Sequence, residues 1–499
     1  MEQFILTAYI ISLSILFIFG AHGFVMIYHY FKHRNESDGE LPLTETPIVT
    51  IQLPLYNEMY VVRRLIEASC SIEYPKEKLE IQVLDDSTDE TVDLVASIVR
   101  EKQAQGFIIH HVRRPNRSGF KAGALKEGLK TAQGEFVAVF DADFIPRSEF
   151  LQKTIPYFYT DKHIGMVQTR WEHLNGEYSL MTRTQAMALD GHFVIEQNVR
   201  NKAGFFIQFN GTGGVWRKTC IIDAGNWHSD TLTEDLDLSY RAQLRGWKFK
   251  FLRDVTSPAE LPAEINALKS QQFRWTKGAI ETARKLLPMV WKAPIPFRKK
   301  FHSTFHLTSN IVFPFIVLAS ILNAPLSFIK HGGDFDMYFN FMSVFVLAFI
   351  GSFLFYFYAQ KDVYADWRRR IFLFPVFMAG SMGLAVNNSK AVIEGLFKRK
   401  SEFVRTPKYG IEGKKQSWQD KKYVPVKFSW TVILEIGLAV YCFLGVMASL
   451  YFMEIAAVPF QLLFTLGYGS VAYLSVQQAL EARRMKMAKL KLSIEPVTI

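Results

Sequence analysis

Two pairs of acidic residues follow predicted strands in the N-terminal half of the chain. Asp85 and Asp86 end the segment "EIQVLDD", and Asp141 and Asp143 end "EFVAVFDAD". In α/β sheets, ligands bind beyond the carboxyl ends of the strands. The "DAD" pair puts two carboxylates on one side of an extended segment, a hard-oxygen site suited to Mg²⁺ or Mn²⁺. The pattern favours a metal-bridged diphosphate ligand, while a lone pair of this kind is also common in turns and caps.

A third acidic group precedes a predicted helix. Glu234 and Asp235 follow Thr233 in "TEDLDLSYRAQL". A carboxylate in the first turn of a helix is stabilised in its charged form. Asp235 is therefore either a simple first-turn acid or a general base aimed at a sugar hydroxyl, and the residues alone leave both readings open.

The stretch "QQFRW" combines amide, guanidinium and indole side chains. If "AEINALKSQQFRWTKGAIETARKLL" is one helix, Gln271, Arg274 and Trp275 lie on one face. A guanidinium can neutralise a diphosphate through paired hydrogen bonds, and an indole offers a flat surface for a sugar ring. An interfacial helix at a membrane surface would have a similar composition, and both interpretations can hold together.

These residues lie in a block, 46–300, that alternates short apolar strands with helical stretches. This alternation predicts one α/β domain built on a parallel sheet flanked by helices. No GxGxxG motif opens the helix after the first strand, and no phosphate-cradling GxxxxGK[ST] loop occurs. Dinucleotide-binding and P-loop readings are therefore excluded.

The remaining sequence is strongly apolar. Hydrophobic residues make up 49% of the chain, and runs without any charged residue separate Glu2 from Lys32, Lys300 from Lys330 and Asp336 from Lys361. Each run exceeds the roughly 20 residues that span a bilayer. Two more spans are predicted within 428–453 and 455–480. The net charge of +11 is expected to lie in cytoplasmic loops rather than on a nucleic-acid surface.

The distribution of Lys and Arg predicts the topology. The N-terminus is expected outside, and the α/β block and the C-terminal tail in the cytoplasm. Segment 371–394 has basic residues on both sides, so it is predicted to be interfacial or re-entrant. The predicted units are an N-terminal membrane helix at 1–31, a cytoplasmic domain at 32–300, membrane helices at 301–361, a cytoplasmic interfacial region at 362–427, membrane helices at 428–480 and a cytoplasmic tail at 481–499. The three cysteines form no CxxC pair, so neither a disulfide framework nor a zinc site is expected.

The motifs "DDS", "DAD", "TED" and "QQFRW", in this order, resemble the D, DxD, TED, QxxRW series of the processive family 2 glycosyltransferases. The phrases "GFKAGALKEGL", "FNGTGGVWR" and "TEDLDLSYRAQLRGWKFKFL" are similar to the mannan, glucomannan and xyloglucan-backbone branch of the cellulose synthase-like superfamily. The resemblance covers nearly the whole chain. It implies an α/β glycosyltransferase A-type (Rossmann-like) cytoplasmic domain joined to an α-helical transmembrane bundle.

The resemblance also implies roles for individual residues. Those expected to bind the nucleotide sugar are Asp85, Asp86, Lys121, Asp141, Gln271, Arg274, Thr406 and Lys408. Those expected to bind the acceptor are Trp275, Phe209, Asn210 and Gly211. Asp143, with Asp141, would hold the Mg²⁺ or Mn²⁺ ion, and Asp235, with Glu234 beside it, would be the catalytic base.

The segment "SEFVRTPKYG", residues 401–410, resembles the FxVTxK gating loop of the same family. Phe403, Thr406 and Lys408 match that motif, whereas Arg405 stands where the family has valine. The charge distribution places this loop in the cytoplasm, on the same side as the α/β block. Closing of the loop over a bound nucleotide is therefore expected, with a solvated basic loop as the alternative.

The implied activity is inverting, processive polymerisation of a β-linked, by family β-1,4-linked, glucan, mannan or glucomannan. The donor would be UDP-glucose or GDP-mannose, and the growing polysaccharide would cross the bilayer of a bacterial inner or plasma membrane or of the Golgi. The chain would act alone, as a homo-oligomer or with accessory subunits. Two alternatives are a non-processive transferase that adds one hexose to a lipid acceptor, and a receptor or transporter subunit that only binds nucleotide.

Overall fold

The computed structural model describes residues 1–333, 335–399, 401, 404–413, 416–419, 421–423 and 429–494. Phe403, which the family resemblance assigns to the gating motif, lies outside these residues. The strands are β1 Val49–Leu55, β2 Leu79–Asp85, β3 Ile108–Val112, β4 Phe136–Val139, β5 Ile164–His173, β6 Gly214–Arg217 and β7 Lys248–Ala259. They form one sheet with the order β3-β2-β1-β4-β6-β5-β7.

Helices flank the sheet and form the membrane region, and short 3₁₀ turns join some of them. In chain order the helices are α1 Glu2–His33, α2 Val62–Cys70, α3 Thr91–Ala104, α4 Phe120–Thr131, α5 Phe150–Thr154, α6 Tyr157–Thr160, α7 Leu180–Asp190, α8 Asn198–Lys202, α9 Lys218–Asp223, α10 Glu234–Leu244, α11 Ile265–Lys292, α12 Phe297–Thr308, α13 Val312–Gly332, α14 Asp336–Met342, α15 Val346–Val363, α16 Trp367–Arg370, α17 Phe374–Gly383, α18 Ala385–Leu396, α19 Thr431–Tyr451 and α20 Val458–Ile494. A π-helical segment, Gly191–Gln197, joins α7 to α8.

The sheet is mixed, so the prediction of a parallel sheet is wrong in this respect. Strands β1, β2, β3 and β4 run parallel to one another, as do β5 and β7. Strand β6 is antiparallel to both of its neighbours, β4 and β5. With only four residues, "GVWR" is too short to show a strand period in the sequence, and the pairing direction of a strand is set by contacts distant in the chain.

The centre of the sheet is buried on both faces. On one face the apolar residues of β1 pack against α2 and α3, and on the other α4 covers the sheet beside Trp216. Two polar pairs occupy the buried face of β1 and β2. Thr50 donates a hydrogen bond to Glu80 over 2.6 Å, and Gln52 donates to Gln82 over 3.0 Å. Because buried polar groups need partners, these pairs align the two strands whose ends support the site.

Five helical stretches among the described residues are long and apolar enough to cross a membrane: Glu2–His33, Phe297–Gly332, Asp336–Val363, Thr431–Tyr451 and Ile455–Arg484. The chain is accordingly a membrane protein. A further pair, Trp367–Gly383 and Ala385–Leu396, bends by 45° at its break. A bend of this kind occurs both in broken spans and in re-entrant loops, so the predicted re-entrant character of 371–394 stays a prediction.

The sequence left open whether Glu435, inside an apolar span, reaches the interface or faces a channel. In the structure its two carboxylate oxygens accept hydrogen bonds from Lys269 over 2.7 and 2.9 Å. Glu435 is fully buried and Lys269 nearly so. The pair joins helix α19 of the membrane region directly to helix α11 of the α/β block.

Candidate functional site

A cavity of about 180 Å³ opens beyond the carboxyl ends of β1 and β4. Thirteen of the fifteen residues that the sequence assigned to a site line it: Asp86, Lys121, Asp141, Asp143, Asn210, Gly211, Glu234, Asp235, Gln271, Arg274, Trp275, Thr406 and Lys408. They come from segments more than 300 positions apart in the chain. The fold therefore assembles in one place the residues that the sequence showed only as separate motifs.

The two carboxylates after β4 are each paired with a lysine. Lys121, at the start of α4, donates to Asp141 over 2.5 Å and to the carbonyl oxygen of Gly211 over 2.9 Å. Burial lowers the pKa of Lys121, but the surrounding carboxylates, Asp141 first, outweigh it and raise the pKa above its ordinary value. Lys408 donates to Asp143 over 2.5 Å. Each carboxylate is therefore paired with a lysine ammonium group at the cavity wall.

This donor set fits a divalent cation. Asp141 and Asp143 supply carboxylate oxygens at the edge of the cavity, the hard ligands that Mg²⁺ and Mn²⁺ prefer. Lys121 bonds Oδ1 of Asp141, and Lys408 bonds Oδ2 of Asp143, so one oxygen of each carboxylate carries an ammonium hydrogen bond. The chemistry of the residues is compatible with the expected metal.

Helix α10 begins at Glu234, so Glu234 and Asp235 occupy its first turn at the cavity wall. Burial, followed by repulsion from Glu234, raises the pKa of Asp235 to about 7. Burial also raises the pKa of Glu234, although Lys121 opposes that shift. A carboxylate whose pKa lies near neutral pH is well matched to accepting a proton from a hydroxyl group.

The loop that faces Asp235 needs a glycine. Gly211 has a φ of +81°, and a Cβ built on it would lie 3.0 Å from Oδ2 of Asp235. Any side chain at this position would therefore push against the carboxylate while also adopting strained backbone. This explains why the "FNGTGG" loop can approach the carboxylate so closely.

Helix α11 presents Gln271, Arg274 and Trp275 to the cavity, as their spacing predicted. Its N-terminus is fixed by Glu264, whose side chain accepts hydrogen bonds from two backbone N–H groups of the first turn over 2.7 and 2.8 Å. Burial lowers the pKa of Arg274, and the carboxylates, Glu234 first, oppose this. The rings of Trp275 and Trp171 lie 6.5 Å apart and form an aromatic wall.

Helices α10 and α11 approach each other closely beside the site. A Cβ built on Gly278 would lie 2.5 Å from Cγ2 of Thr233. Thr233 directly precedes Glu234, and Gly278 lies one turn after Arg274. The absence of a side chain at Gly278 thus brings the acidic first turn of α10 up to the Arg–Trp face of α11.

The described part of the loop after α18 lies against the cavity. Thr406 accepts a hydrogen bond from Arg274 over 2.9 Å. The backbone N–H groups of Tyr409 and Gly410 donate to Glu260 over 3.0 and 2.8 Å. Arg405, the departure from the family motif, lies 2.7 Å from Glu58. These bonds anchor residues 404–410 to three separate elements around the site.

Two predicted site residues do not line the cavity. The buried carboxylate of Asp85 lies 2.8 Å from Nε2 of His111 and accepts the backbone N–H of Ser87 over 2.8 Å. Burial raises the pKa of Asp85. These hydrogen bonds together lower the pKa by more than burial raises it, so it lies below its ordinary value. Phe209 is fully buried beside Trp216. Both side chains hold neighbouring segments in place, and their assigned ligand contacts stay predictions.

Sequence reasoning missed several cavity residues. Tyr56 and Glu58 follow β1 directly, and the guanidinium of Arg117 lies 3.4 Å from the centre of the Tyr56 ring. Glu260 follows β7 and also lines the cavity. The position of "YNE" at the carboxyl end of a strand was a usable signal, because ligands bind at such ends. Glu260 directly follows β7, so the same signal applied to it, whereas Arg117 lies inside the loop between β3 and α4 and carries no comparable signal.

A second, larger cavity of about 1090 Å³ adjoins the first. The residues that line both are Trp171, Leu189, Asn210, Thr233, Asp235, Gln271 and Trp275. From there its wall continues along α11 and the membrane-region helices, past Tyr356, Phe377 and Tyr473. The volume exceeds the ~300–1,000 Å³ typical of small-molecule pockets. The arrangement suits an extended ligand whose end reaches Asp235.

Comparison with known proteins agrees with this geometry. Residues 47–278 match the model of the glycosyltransferase like family 2. Over 276 residues the chain is 43% identical to glucomannan 4-beta-mannosyltransferase 1 of Oryza sativa subsp. japonica, a match that covers 54% of this chain. It spans about half of that relative's length, 53%. Over 431 residues it is 33% identical to glucomannan 4-beta-mannosyltransferase 9 of Arabidopsis thaliana, covering 82% of this chain and 77% of the relative.

A solved structure shares the fold. It is a mannosyltransferase from Pyrobaculum calidifontis, determined in complex with GDP-Man and Mn²⁺. The two superpose with a TM-score of 0.54 at 18% identity, over 78% of this chain and all of the other. The sequence and the fold lead to the same assignment. The chain belongs to glycosyltransferase family 2, and within it to the cellulose synthase-like family that includes the glucomannan 4-beta-mannosyltransferases.

Proposed function

We propose that this protein is an inverting, processive glycosyltransferase that elongates a β-1,4-linked mannan or glucomannan from a nucleotide sugar and moves the product through the membrane. The observation that carries the proposal is the position of Asp235 at the junction of two cavities. One is lined by the carboxylate, lysine and arginine groups suited to a metal-bound diphosphate, and the other, at about 1090 Å³, has the volume for several sugar units. Two relatives are named glucomannan 4-beta-mannosyltransferases, which supports mannosyl transfer here, with GDP-mannose as the donor and UDP-glucose for glucosyl units.

In this mechanism Asp235 accepts the proton of the acceptor hydroxyl. The hydroxyl oxygen forms a bond to the anomeric carbon as the bond from that carbon to the diphosphate breaks. Attack from the face opposite the leaving group converts an α-linked donor into a β-linked product. The raised pKa of Asp235 supports this role. A carboxylate with a pKa near 7 is a stronger base than an ordinary one and is still partly unprotonated at neutral pH.

The leaving nucleoside diphosphate gains negative charge during the step. The Arg274 guanidinium lines the same cavity and can hydrogen-bond the departing phosphate oxygens. Lys121 and Lys408 donate to carboxylates here and can transfer those hydrogen bonds to phosphate. A Mg²⁺ or Mn²⁺ ion held by Asp143 and Asp141 would add stabilisation of the same charge.

The acceptor sugar stacks on Trp275 and the chain behind it occupies the second cavity. Asn210 and Gly211 lie on the loop beside Asp235 and border the terminal acceptor unit. With the α/β block in the cytoplasm, as the basic loops favour, the polymer would leave between the membrane helices. Residues 404–410 lie over the donor cavity and would exclude water from it during transfer.

The proposal is tested by nucleotide release from the detergent-purified protein. The protein is incubated with Mg²⁺ or Mn²⁺ and, in turn, GDP-mannose, UDP-glucose, UDP-N-acetylglucosamine and UDP-glucuronate. Release with GDP-mannose, an insoluble β-1,4-linked product, and loss of both in Asp235→Asn support the proposal. A product that extracts into organic solvent as a single-sugar lipid would replace it with the non-processive reading. Binding of a donor without turnover would overturn it.

A further inference from the structure

The π-helical segment Gly191–Gln197 carries two polar side chains to the wall of the second cavity, His192 and Glu196. A π-helix is rare and frequently marks a functional site, because its wider turn redirects side chains. The segment packs against α15 so closely that a Cβ built on Gly191 would lie 2.5 Å from the ring of Tyr356. The backbone at this point is therefore held against helix α15.

Hydrogen bonds fix both side chains in turn. Nε2 of His192 lies 2.9 Å from Oδ1 of Asn210, and its Nδ1 lies 3.0 Å from Oε2 of Glu196. Oε1 of Glu196 pairs with Arg200 over 3.0 and 3.1 Å. Arg200 also donates to the backbone carbonyl of His302 over 3.2 Å. The chain of bonds runs from the loop beside the base, through the cavity wall, to helix α12.

Glu196 is a charged group in this wall. Burial raises its pKa, but Arg200 and His192 outweigh burial and hold the pKa well below its ordinary range. A carboxylate with one oxygen on an arginine and the other beside an imidazole remains a strong acceptor for hydroxyl groups at the cavity surface. Hydrogen bonds to a charged acceptor are roughly twice as strong as neutral ones.

His192 and Glu196 belong to the wall of the second cavity and not to its junction with the first. Asp235, Asn210 and Trp275 line both cavities, whereas His192 and Glu196 line only the second. An acceptor sugar whose hydroxyl meets Asp235 occupies the junction. His192 contacts Asn210, which lines both cavities, so the His192–Glu196 pair lies next to this junction on the side of the second cavity.

We propose that Glu196, oriented by His192 and Arg200, forms a saccharide subsite that binds the hydroxyl groups of the acceptor unit behind the terminal one. This subsite makes acceptors of two or more units bind more tightly than a single sugar, and so favours elongation over initiation. The inference rests on the proposed function, since it assumes that the second cavity holds the acceptor.

The test compares acceptors of increasing length. Purified wild-type protein and the variants Glu196→Gln and His192→Asn are given the donor and β-1,4-linked manno-oligosaccharides of one to four units. Losing a hydrogen bond to a charged group costs ~1.5–3 kcal/mol, or about 10- to 100-fold in binding. We expect KM for acceptors of two or more units to rise by that factor in Glu196→Gln, and by about tenfold in His192→Asn. KM for mannose and for the donor should not change.

The matched control is Glu67→Gln, since Glu67 is an exposed carboxylate outside both cavities. This variant should behave as wild type at every acceptor length. Equal KM values for variant and wild type at all lengths would overturn the subsite, and so would a rise of the same size for mannose. If Glu196→Gln does not fold, shown by the loss of its thermal unfolding transition, His192→Asn decides the question. A wild-type protein that elongates no acceptor would instead count against the proposed function itself.

Discussion

Arg405 lies 2.7 Å from Glu58, and this ion pair joins the loop after α18 to the loop after β1 at the wall of the first cavity, which both residues line. The guanidinium also lies 4.6 Å from the centre of the Tyr423 ring. The family motif has an apolar valine at this position. In this chain a buried charge pair, rather than an apolar contact, holds residues 404–410 against the site.

We expect Arg405→Val to loosen this loop. Loss of the Arg405 guanidinium leaves Glu58 buried without its cation. Because the loop is then held less firmly, the donor KM should rise roughly tenfold, ~1.4 kcal/mol, and kcat should change less. Glu58→Gln should raise the donor KM as well. In the double variant the two effects should not add, because residues in direct contact couple by ~0.5–3 kcal/mol. Steady-state kinetics of the four proteins measures this, and strictly additive effects would show that the pair does not position the loop.

Asp235→Asn should abolish transfer while leaving donor binding intact. Removing a general base lowers the rate by about 10²–10⁴-fold, whereas the amide keeps the shape of the side chain. Nucleotide release measures the first effect, and calorimetric titration with donor measures the second. Asp161→Asn, at an exposed ion pair with Lys248, is the control. Retention of more than a tenth of the activity in Asp235→Asn would rule out the base role.

The pH profile should carry an acidic limb near pH 7. Burial and then Glu234 raise the pKa of Asp235 to about 7, and only the unprotonated carboxylate can accept a proton. kcat/KM should therefore fall as the pH decreases through this value. Glu234→Gln removes the neighbouring charge, so the limb should move to lower pH, as the profile of that variant will show. An unchanged midpoint in Glu234→Gln would mean that another group titrates.

Metal dependence should be governed by the carboxylates after β4. Asp143→Asn removes one hard oxygen donor of the proposed site, and we expect the variant to need at least about tenfold more Mn²⁺ or Mg²⁺ for half-maximal nucleotide release. Excess EDTA should stop wild-type release, and added metal should restore it. The measurement is a metal titration of both proteins. The same half-maximal concentration in each would place the metal elsewhere.

The site was predictable from the sequence to the extent that its residues lie at the ends of regular elements. Asp141 and Asp143 follow a buried strand, Asp235 begins a helix, and Arg274 and Trp275 share a helical face, so local patterns sufficed. The pairing of Arg405 with Glu58 was not predictable, because contacts between residues so distant in the chain depend on the complete fold. The π-helical turn was not predictable from the sequence for another reason. The letters "GHFVIEQ" are typical of an ordinary helix, and only the backbone of the folded chain shows the wider turn.

Lys269 and Glu435 should each be needed to balance the charge of the other at the junction between the α/β block and the membrane helices. Both groups are buried, and breaking a buried pair by removing one partner costs ~3–5 kcal/mol, since the other charge stays without compensation. Lys269→Met and Glu435→Leu should each lower the Tm of the detergent-purified protein clearly. The double variant replaces the pair by apolar groups and should recover most of the loss, because buried pairs contribute little beyond their own desolvation. Thermal unfolding of the four proteins decides this. A double variant as unstable as the sum of the single variants would show that the two charges stabilise the junction independently of each other.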